Sequence, residues 1–247
     1  MADKPRHDGR RPDELRPLRI RRRYLRTSPG SVLIEAGGTR VLCTATISNE
    51  LPKWREAAGQ GWLTAEYNML PASTSPRKQR ERGGKLDGRT AEIQRLIGRS
   101  LRAVIDFAAL GPRTVTIDCD VLEADGGTRT ASVTGSFVAL VDALHALPEG
   151  AALAQACLRG SVAAVSVGIV DGRPLLDLDY REDVSAAVDM NVVLTGAGRF
   201  VELQSTGEED TFSDKELTAM IKLARSGIAD LAAAQQKALG KAWPTVK

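Results

Sequence analysis

Residues 114–147 read TVTIDCDVLEADGGTRTASVTGSFVALVDALHAL. Over the first ten residues apolar side chains alternate with polar ones, which predicts a β-strand with one buried face. A Gly-Gly turn at 126–127 follows, and the apolar pattern after it predicts a helix from Ala131 to Leu147. The second half of the chain repeats the order of strands and then a helix. We therefore expect an α+β protein made of two similar βαβα lobes, rather than one doubly wound parallel sheet.

Three hairpins extend this plan in both directions. SVLIEA and TRVLCTATIS, joined by Gly37-Gly38, predict the first hairpin, with strand pairing from about Ser31. SVAAVSVGIV and PLLDLDY predict the second, and MNVVLT and FVELQS predict the third. These strands account for most of both predicted sheets.

A long final helix is predicted to begin at Ser213, where a Ser-x-x-Glu box with Glu216 is typical of a helix start. The domain plan is then a basic N-terminal arm over residues 1–26, a first lobe over 27–150, and a second lobe over 151–247 that ends in this helix.

Composition excludes several classes of protein. With 247 residues and 43% hydrophobic content, the chain can bury a sizeable core and is not disordered as a whole. It has no uninterrupted apolar run long enough to span a bilayer, and its charged first residues lack the apolar core of a signal peptide. The sequence therefore predicts a cytoplasmic protein without a membrane partner.

The cysteines and histidines limit the chemistry. Cys43, Cys119 and Cys157 are too far apart in sequence to indicate a disulfide framework or a zinc site, and we expect them to be buried. His7 is expected in the N-terminal arm and His145 on a helix, so no good general-base histidine is indicated. Any catalysis must use carboxylates, arginines, backbone amides, a hard metal ion or the substrate itself.

Charge is strongly segregated, although the net charge is only +3. Residues 1–26 and residues 77–102 each carry +6, which leaves −9 on the rest of the chain. Such basic blocks suggest a polyanionic partner. The alternative is that they are solvated arms and a charged helix face.

The second basic block combines a loop and a helix. PASTSPRKQRERGGKLDG over residues 71–88 is a polar loop, with cations at Arg77, Lys78, Arg80, Arg82 and Lys85. The helix that follows from Thr90 places three arginines on one polar face. These are Arg95, Arg99 and Arg102. The stripe either faces solvent or faces a polyanion, and the adjacent basic loop favours the polyanion.

The Asp125-Gly-Gly-Thr-Arg-Thr130 turn is a candidate anion site. Glycines expose backbone amides, the start of the following helix attracts negative charge, and Thr128 and Arg129 add a hydroxyl and a guanidinium. The spacing matches neither a Walker loop nor a dinucleotide-binding loop. The alternative is an ordinary turn before a helix.

Five carboxylates are concentrated in a short acidic stretch. They are Asp177, Asp179, Glu182, Asp183 and Asp189. Asp177 and Asp179 are expected to share one face of a strand, while Asp183 and Asp189 bracket a turn. Converging carboxylates without histidine suit Mg²⁺ or Mn²⁺. The alternative is a solvated edge with turn-forming aspartates.

Together, an anion pocket and a hard-cation site indicate a reaction whose nucleophile is already ionised at neutral pH. Inorganic phosphate meets this condition, because its dianion requires positioning and charge neutralisation more than deprotonation.

The chain resembles the ribonuclease PH family of phosphorolytic 3′–5′ exoribonucleases, from about Arg10 to Leu239. Long consecutive signatures carry the resemblance, and they occupy residues 59–72, 88–104, 118–133 and 177–194. The resemblance implies two lobes of the ribosomal protein S5 domain 2-like type, assembled as a hexameric ring, a trimer of dimers. It also implies removal of 3′-terminal nucleotides from tRNA precursors, and from other structured RNA 3′ ends, as nucleoside diphosphates in a reversible reaction.

The resemblance also implies site residues. The phosphate co-substrate would be bound by Arg89, Gly127, Thr128 and Arg129. Asp183 and Asp189 would hold Mg²⁺ or Mn²⁺, or assist protonation of the leaving group. The tRNA body would contact Arg77, Arg80 and Arg82, and the arginine stripe adds Arg95 and Arg99 as candidate RNA contacts. The low aromatic content of 4% suits binding through phosphates rather than base stacking.

Two other functions remain as alternatives. The chain could be an inert RNA-binding subunit of a ring, but the residues implied for phosphate and metal binding are all present. It could also be a small-molecule kinase on a related lobe, but a nucleotide phosphate loop is not found in the sequence.

Overall fold

A five-stranded sheet forms the base of the first lobe. The computed structural model describes residues 6–80, 87–207 and 210–244. The strands of this sheet are β1 (Leu18–Arg22), β2 (Ser31–Ala36), β3 (Thr39–Ser48), β4 (Trp62–Met69) and β5 (Thr114–Glu123), in the spatial order β1-β2-β3-β5-β4. Neighbours are antiparallel except β4 and β5, which are parallel. As predicted, β5 alternates, and it buries the side chains of Val115, Ile117, Cys119 and Val121 on one face.

Strand pairing begins earlier in the chain than the predicted Ser31. β1 lies inside the segment predicted as a basic arm, and it pairs with β2 over its full length. Its apolar residues Leu18 and Ile20 pack against the core, while Arg21 forms an ion pair with Glu35. The five arginines between 19 and 26 obscured this strand, because the short alternation of Leu18 and Ile20 was the sole apolar signal.

α-Helices complete the first lobe. They are α1 (Lys53–Glu56), α2 (Gly88–Arg102), α3 (Phe107–Leu110), α4 (Thr128–His145) and α5 (Gly150–Cys157). The helix predicted from Ala131 to Leu147 is α4, and it is buried on all sides because it packs against β2 and β3 on one side and against the second lobe on the other. α4 therefore joins the two lobes through a continuous apolar core.

The second lobe has a four-stranded antiparallel sheet. Its strands are β6 (Val162–Val170), β7 (Arg173–Leu176), β8 (Val188–Thr195) and β9 (Phe200–Gly207), in the order β7-β6-β8-β9. Two helices belong to this lobe, α6 (Tyr180–Ser185) and α7 (Asp214–Leu239). The predicted capping box at the start of α7 is confirmed, since Ser213 and Glu216 bond each other's backbone. The predicted boundary after residue 150 lies at the start of α5, which packs against α3 and α4.

Cys43, Cys119 and Cys157 are free and buried, as predicted. Among the described helices, none combines the length and the apolar character required to cross a bilayer.

Candidate active site

A cavity of about 600 Å³ lies where the starts of α2, α4 and α6 meet. Its lining brings together residues from both lobes. They are Met69, Thr74, Ser75, Pro76, Lys78, Asp87, Arg89, Ala124, Gly126, Gly127, Thr128, Tyr180 and Asp183. Three of the four predicted phosphate-binding residues, Arg89, Gly127 and Thr128, therefore share one cavity with Asp183.

The start of α4 is built to accept an anion. Gly126 and Gly127 have φ of +74° and +63°, a left-handed backbone that favours glycine. No described side chain caps this helix, so the amides of its first turn remain available to a ligand. The Thr128 hydroxyl lies beside them, 2.9 Å from the buried Tyr67 hydroxyl.

Gly126 also allows the two lobes to approach each other closely. A Cβ at this position would lie 2.7 Å from the Leu178 carbonyl oxygen and 2.8 Å from the Tyr180 nitrogen. No side chain fits there, so glycine is required at this position by the contact between the lobes as well as by the backbone conformation.

The start of α2 supplies the other wall of the cavity. Asp87 caps this helix by accepting a hydrogen bond of 2.6 Å from the Thr90 amide, and its carboxylate lies 3.2 Å from Lys78 Nζ. The hydrogen bond from Thr90 and the charge of Lys78 lower the pKa of Asp87 to about 2. Arg89 follows at the second position of the helix, exposed and next to the cavity.

Arg129 points to a different place from the other predicted phosphate-binding residues. Its Nη1 lies 3.2 Å from the Glu92 carboxylate and 3.2 Å from the Gln204 side-chain oxygen. It connects α2 with β9, and it is not among the described residues that line the cavity. Its predicted contact with phosphate would require this side chain to exchange partners.

The two predicted metal-binding aspartates lie on different elements. Asp183 is half-buried on α6 and lines the cavity. Asp189 is half-buried on β8, opposite Gly168 of β6, and accepts a hydrogen bond of 3.3 Å from Asn191 Nδ2. Both present carboxylate oxygens, the donor type that a hard divalent cation prefers.

The expectation that Asp177 and Asp179 share a strand is wrong. β7 ends at Leu176, Asp177 has φ of +54°, and Asp179 caps α6 in a reciprocal capping box with Glu182. The strand ends here because these carboxylates turn toward buried cations of the N-terminal segment.

Arginines from that segment neutralise the acidic stretch. Arg6 Nε donates to Glu182 at 2.7 Å, Arg16 Nη2 donates to Asp177 at 2.8 Å, and Arg10 lies 3.6 Å from Asp179. All three arginine side chains are at most 7% exposed.

These contacts correct two expectations. Much of the N-terminal basic block binds internal carboxylates instead of a polyanion, and His7, expected in a free arm, lies 2.6 Å from Asp179. Sequence reasoning missed Arg6, Arg10 and Arg16. The available signal was the match between a +6 block and an acidic cluster elsewhere in the chain.

Burial alone would raise the pKa of Asp177. The hydrogen bonds and charge of Arg16, together with the charge of Arg10, outweigh that effect, so the pKa is lowered and the carboxylate stays ionised. Asp177 is therefore an anion held by arginine and is not a candidate metal ligand.

A cluster of His7, Asp8 and Asp179 has ligand atoms within 4.8 Å of one another. Arg10 lies 2.5 Å from Asp8 and 3.6 Å from Asp179, so a positive charge already occupies this position. The cluster is an ion-pair network rather than a metal site.

The predicted RNA-binding arginines differ in their surroundings. Arg77 and Arg80 are exposed, and Arg82 and Lys85 lie outside the described residues. Arg95 and Arg99 line a second cavity of about 450 Å³ along α2 and β9, where Arg99 binds Glu202 at 2.7 Å.

Arg102 does not continue this surface. Its guanidinium lies over the Trp62 ring, 4.8 Å from the ring centre, and its Nε donates to the Gly98 carbonyl. The predicted stripe therefore contains two exposed arginines and one packed arginine.

Sequence models of one family match both lobes. The model of the 3′ exoribonuclease family, domain 1, matches residues 14–145, and that of domain 2 matches residues 160–227. Ribonuclease PH of Rhodopirellula baltica is 57% identical over 238 residues, which cover 94% of this chain and 97% of that protein. Ribonuclease PH of Corynebacterium kroppenstedtii is 54% identical over 245 residues, which cover 99% and 96%.

Two solved structures share the fold. Rice (Oryza sativa) Rrp46 superposes with a TM-score of 0.76 at 18% identity, over 95% of this chain and 100% of that one. The Archaeoglobus fulgidus exosome with RNA bound to the active site gives a TM-score of 0.77 at 20% identity, over 94% and 92%. The predicted α+β fold of two lobes is confirmed, and the chain belongs to the 3′ exoribonuclease family that includes ribonuclease PH.

Proposed function

We propose that the protein removes nucleotides from the 3′ ends of tRNA precursors by phosphorolysis. The observation that carries this proposal is the single cavity between the lobes, where Arg89 and the uncapped start of α4 lie with Asp183. An anion-binding surface and a carboxylate that suits a divalent cation are the two parts that attack by phosphate requires.

The cavity can perform this reaction without a general base. An oxygen of inorganic phosphate forms a bond to the phosphorus of the terminal nucleotide, and the bond from that phosphorus to the 3′ oxygen of the preceding nucleotide breaks. The departing 3′ oxygen takes up the proton that the attacking hydrogenphosphate loses, and the products are a nucleoside diphosphate and an RNA shorter by one residue. The reaction is reversible because a phosphodiester is exchanged for a phosphoanhydride.

Arg89 and the first amides of α4 orient the attacking phosphate and stabilise the charge that develops on the transferred group. The two histidines have no part in this step. His7 is bound to Asp179, and His145 lies at the far end of α4.

Mg²⁺, or Mn²⁺, would be held by Asp183 and Asp189. A bound divalent cation supplies charge neutralisation on the transferred phosphoryl group. The carboxylate oxygens of the two residues fit a hard cation, and Asp183 borders the cavity that would hold the phosphate.

The RNA would approach from the basic side of the cavity. Arg77 and Arg80 are exposed on the segment that contributes Lys78 to the cavity wall, and Arg95 and Arg99 line the neighbouring groove. We place the tRNA body on the basic segment, including Arg82, and we propose a ring of six identical subunits, a trimer of dimers, as the active form.

The main alternative is an inert RNA-binding ring subunit. The presence of Arg89, Arg129, Asp183 and Asp189 favours the enzyme, because a subunit that had lost catalysis would have no requirement for all four.

The test is incubation of the protein and Mg²⁺ with a 3′-extended tRNA, with and without inorganic phosphate. We expect shortening that depends on phosphate and a product that is nucleoside 5′-diphosphate. Release of monophosphate, or shortening without phosphate, would show hydrolysis and overturn the proposal. Binding of the tRNA without any shortening would support the inert subunit.

A further inference from the structure

Arg16 contacts both lobes next to the cavity. Its side chain is 4% exposed, and it lies where the Gly126-Gly127 turn of the first lobe meets the acidic stretch of the second. Toward the second lobe, Nε and Nη2 donate to the two carboxylate oxygens of Asp177 at 3.1 and 2.8 Å, and the Arg16 backbone amide donates to the same carboxylate at 2.8 Å.

Toward the first lobe, the same guanidinium binds the turn that starts α4. Nη1 donates to the carbonyl oxygen of Asp125, and Nη2 lies 3.5 Å from the carbonyl oxygen of Gly126. The Thr39 hydroxyl donates to the Gly126 carbonyl as well, at 2.6 Å. Both carbonyl oxygens of the turn are thus held by donors that do not line the cavity.

The orientation of these carbonyls determines where the neighbouring amides point. A peptide group is planar, so fixing its oxygen fixes the direction of its N–H. Donors that hold the Asp125 and Gly126 oxygens therefore also fix the amides of Gly126 and Gly127 as the chain enters α4. A loop free to rotate would present carbonyl oxygens to an anion, which repel it.

We propose that Arg16 is a positioning residue for phosphate, because it fixes the turn before α4 and the segment before Asp183 relative to each other. The inference rests on the proposed function, since it assigns a residue to the phosphate site of that reaction. Arg16 does not line the cavity, so it acts through the turn and through Asp177.

Arginine is required here by its geometry. A planar guanidinium with five donors can bind a carboxylate side-on while its remaining N–H groups reach carbonyl oxygens. A lysine at this position keeps the positive charge beside Asp177, but its single ammonium group cannot hold the carboxylate and both carbonyls in this arrangement. The Arg16→Lys variant therefore loses the positioning contacts while it keeps the positive charge.

Arg22 provides a matched control. Like Arg16, it binds a carboxylate side-on, here Asp142, and donates to backbone carbonyls, including that of Ala238 at 2.8 Å. Asp142 is 14 residues after Thr128 on α4, which is about 21 Å along a helix. Arg22→Lys disturbs the same kind of contact far from the cavity.

The experiment compares wild type, Arg16→Lys and Arg22→Lys in phosphorolysis of a 3′-extended tRNA, with phosphate and RNA varied separately. For Arg16→Lys we expect KM for phosphate to rise about ten- to a hundredfold, by analogy with the loss of hydrogen bonds that orient metal ligands. KM for RNA should stay close to wild type, and a fixed concentration of inorganic phosphate should raise the melting temperature less than it does in wild type. Arg22→Lys should keep the wild-type KM for phosphate.

A second variant guards against a folding defect. Arg16→Gln with Asp177→Asn removes both charges and keeps hydrogen-bonding groups, so no buried charge is left alone. It should show the same rise in KM for phosphate. A lower melting temperature with an unchanged KM for phosphate in either folded variant would overturn the inference and leave Arg16 a structural residue. If wild type shortens RNA without phosphate, the proposed function fails instead.

Discussion

Arginines of the two basic blocks differ in how far they are buried. Arg6, Arg10 and Arg16 are buried against carboxylates of the second lobe, whereas Arg77 and Arg80 are exposed beside the cavity. The buried group cannot release counterions on binding RNA, because its charge is already balanced within the fold. The charge of these three buried arginines is therefore less available to RNA than that of exposed arginines such as Arg77 and Arg80.

At the level of single residues, Arg89→Ala should nearly abolish phosphorolysis and leave RNA binding largely intact. Removing one preorganised donor to a developing charge costs about 2.7–4 kcal/mol, or roughly 10²–10³ in kcat. Arg129→Ala should also lower the rate, provided that Arg129 exchanges Glu92 and Gln204 for phosphate during the reaction. Steady-state rates together with tRNA binding by filter retention provide the check. Equal losses of affinity and activity would identify these arginines as RNA clamps.

Asp183→Asn and Asp189→Asn should each remove turnover that depends on Mg²⁺ without unfolding the protein. An amide keeps the shape of the carboxylate and deletes the charge that a hard cation requires. Rates across a Mg²⁺ titration, with circular dichroism as the folding control, test this expectation. Wild-type rates with an unchanged Mg²⁺ dependence would exclude the replaced aspartate as a ligand.

At the level of elements, the start of α2 should be sensitive to acid. The pKa of Asp87 is about 2 in the folded protein against 3.8 ordinarily, so its cap stabilises the fold above about pH 4 and is lost as the pH falls toward 2. Asp87→Ala should cost about 0.5–2 kcal/mol at pH 7, while Asp87→Asn keeps the cap. Urea unfolding at pH 7, 4 and 3 gives the comparison. If both variants lose the same stability at pH 7, capping is not the role of Asp87.

The basic segment before α2 should act on tRNA through phosphate contacts. Replacing Arg77, Lys78, Arg80 and Arg82 by alanine should weaken the salt dependence of tRNA affinity. The slope of log affinity against log salt concentration should become shallower by about 0.7–0.9 per lost contact. Lys78 is bound to Asp87, so the three arginines should account for most of the change. Binding is measured across a salt series.

A short single-stranded oligonucleotide that does not reach this segment is the matched control. A triple variant that replaces Arg77, Arg80 and Arg82 and keeps Lys78 of the cavity wall should phosphorolyse it at a rate close to wild type. Loss of activity on both substrates with an unchanged salt slope would instead make the segment structural.

Local patterns in the sequence predicted most elements, and contacts between distant segments decided the exceptions. The hairpin at Gly37-Gly38 and the start of α7 at Ser213 were predictable because turn and cap residues lie next to the elements they define. The end of β7 at Leu176 was not, because the cations that draw Asp177 out of the strand come from the other end of the chain.

In the candidate site, too, local motifs predict some residues and contacts between distant segments determine others. Arg89, Thr128 and Asp183 each belong to a continuous motif, and all three line the same cavity. The partners of Arg129 and the role of Arg16 depend on how the two lobes pack, which no short motif encodes.

At the level of the whole molecule, we expect no stable monomer. β9 is an edge strand, and it exposes Phe200 and Leu203, while Tyr24 and Trp54 are exposed on the first lobe. Another subunit can cover apolar side chains and an open sheet edge of this kind. Light scattering at working concentration should give about six times the chain mass of 26.5 kDa. A particle with the mass of a single chain would refute this.

The buried pairing of Arg16 with Asp177 also delays completion of the phosphate site during synthesis. The two residues are 161 positions apart, so the first has left the ribosome well before its partner is made. At roughly 5–20 residues per second, that interval lasts about 8–30 s. During this time the N-terminal cations of the nascent chain cannot bind their carboxylates. The phosphate site therefore takes its final shape only once the second lobe has been translated.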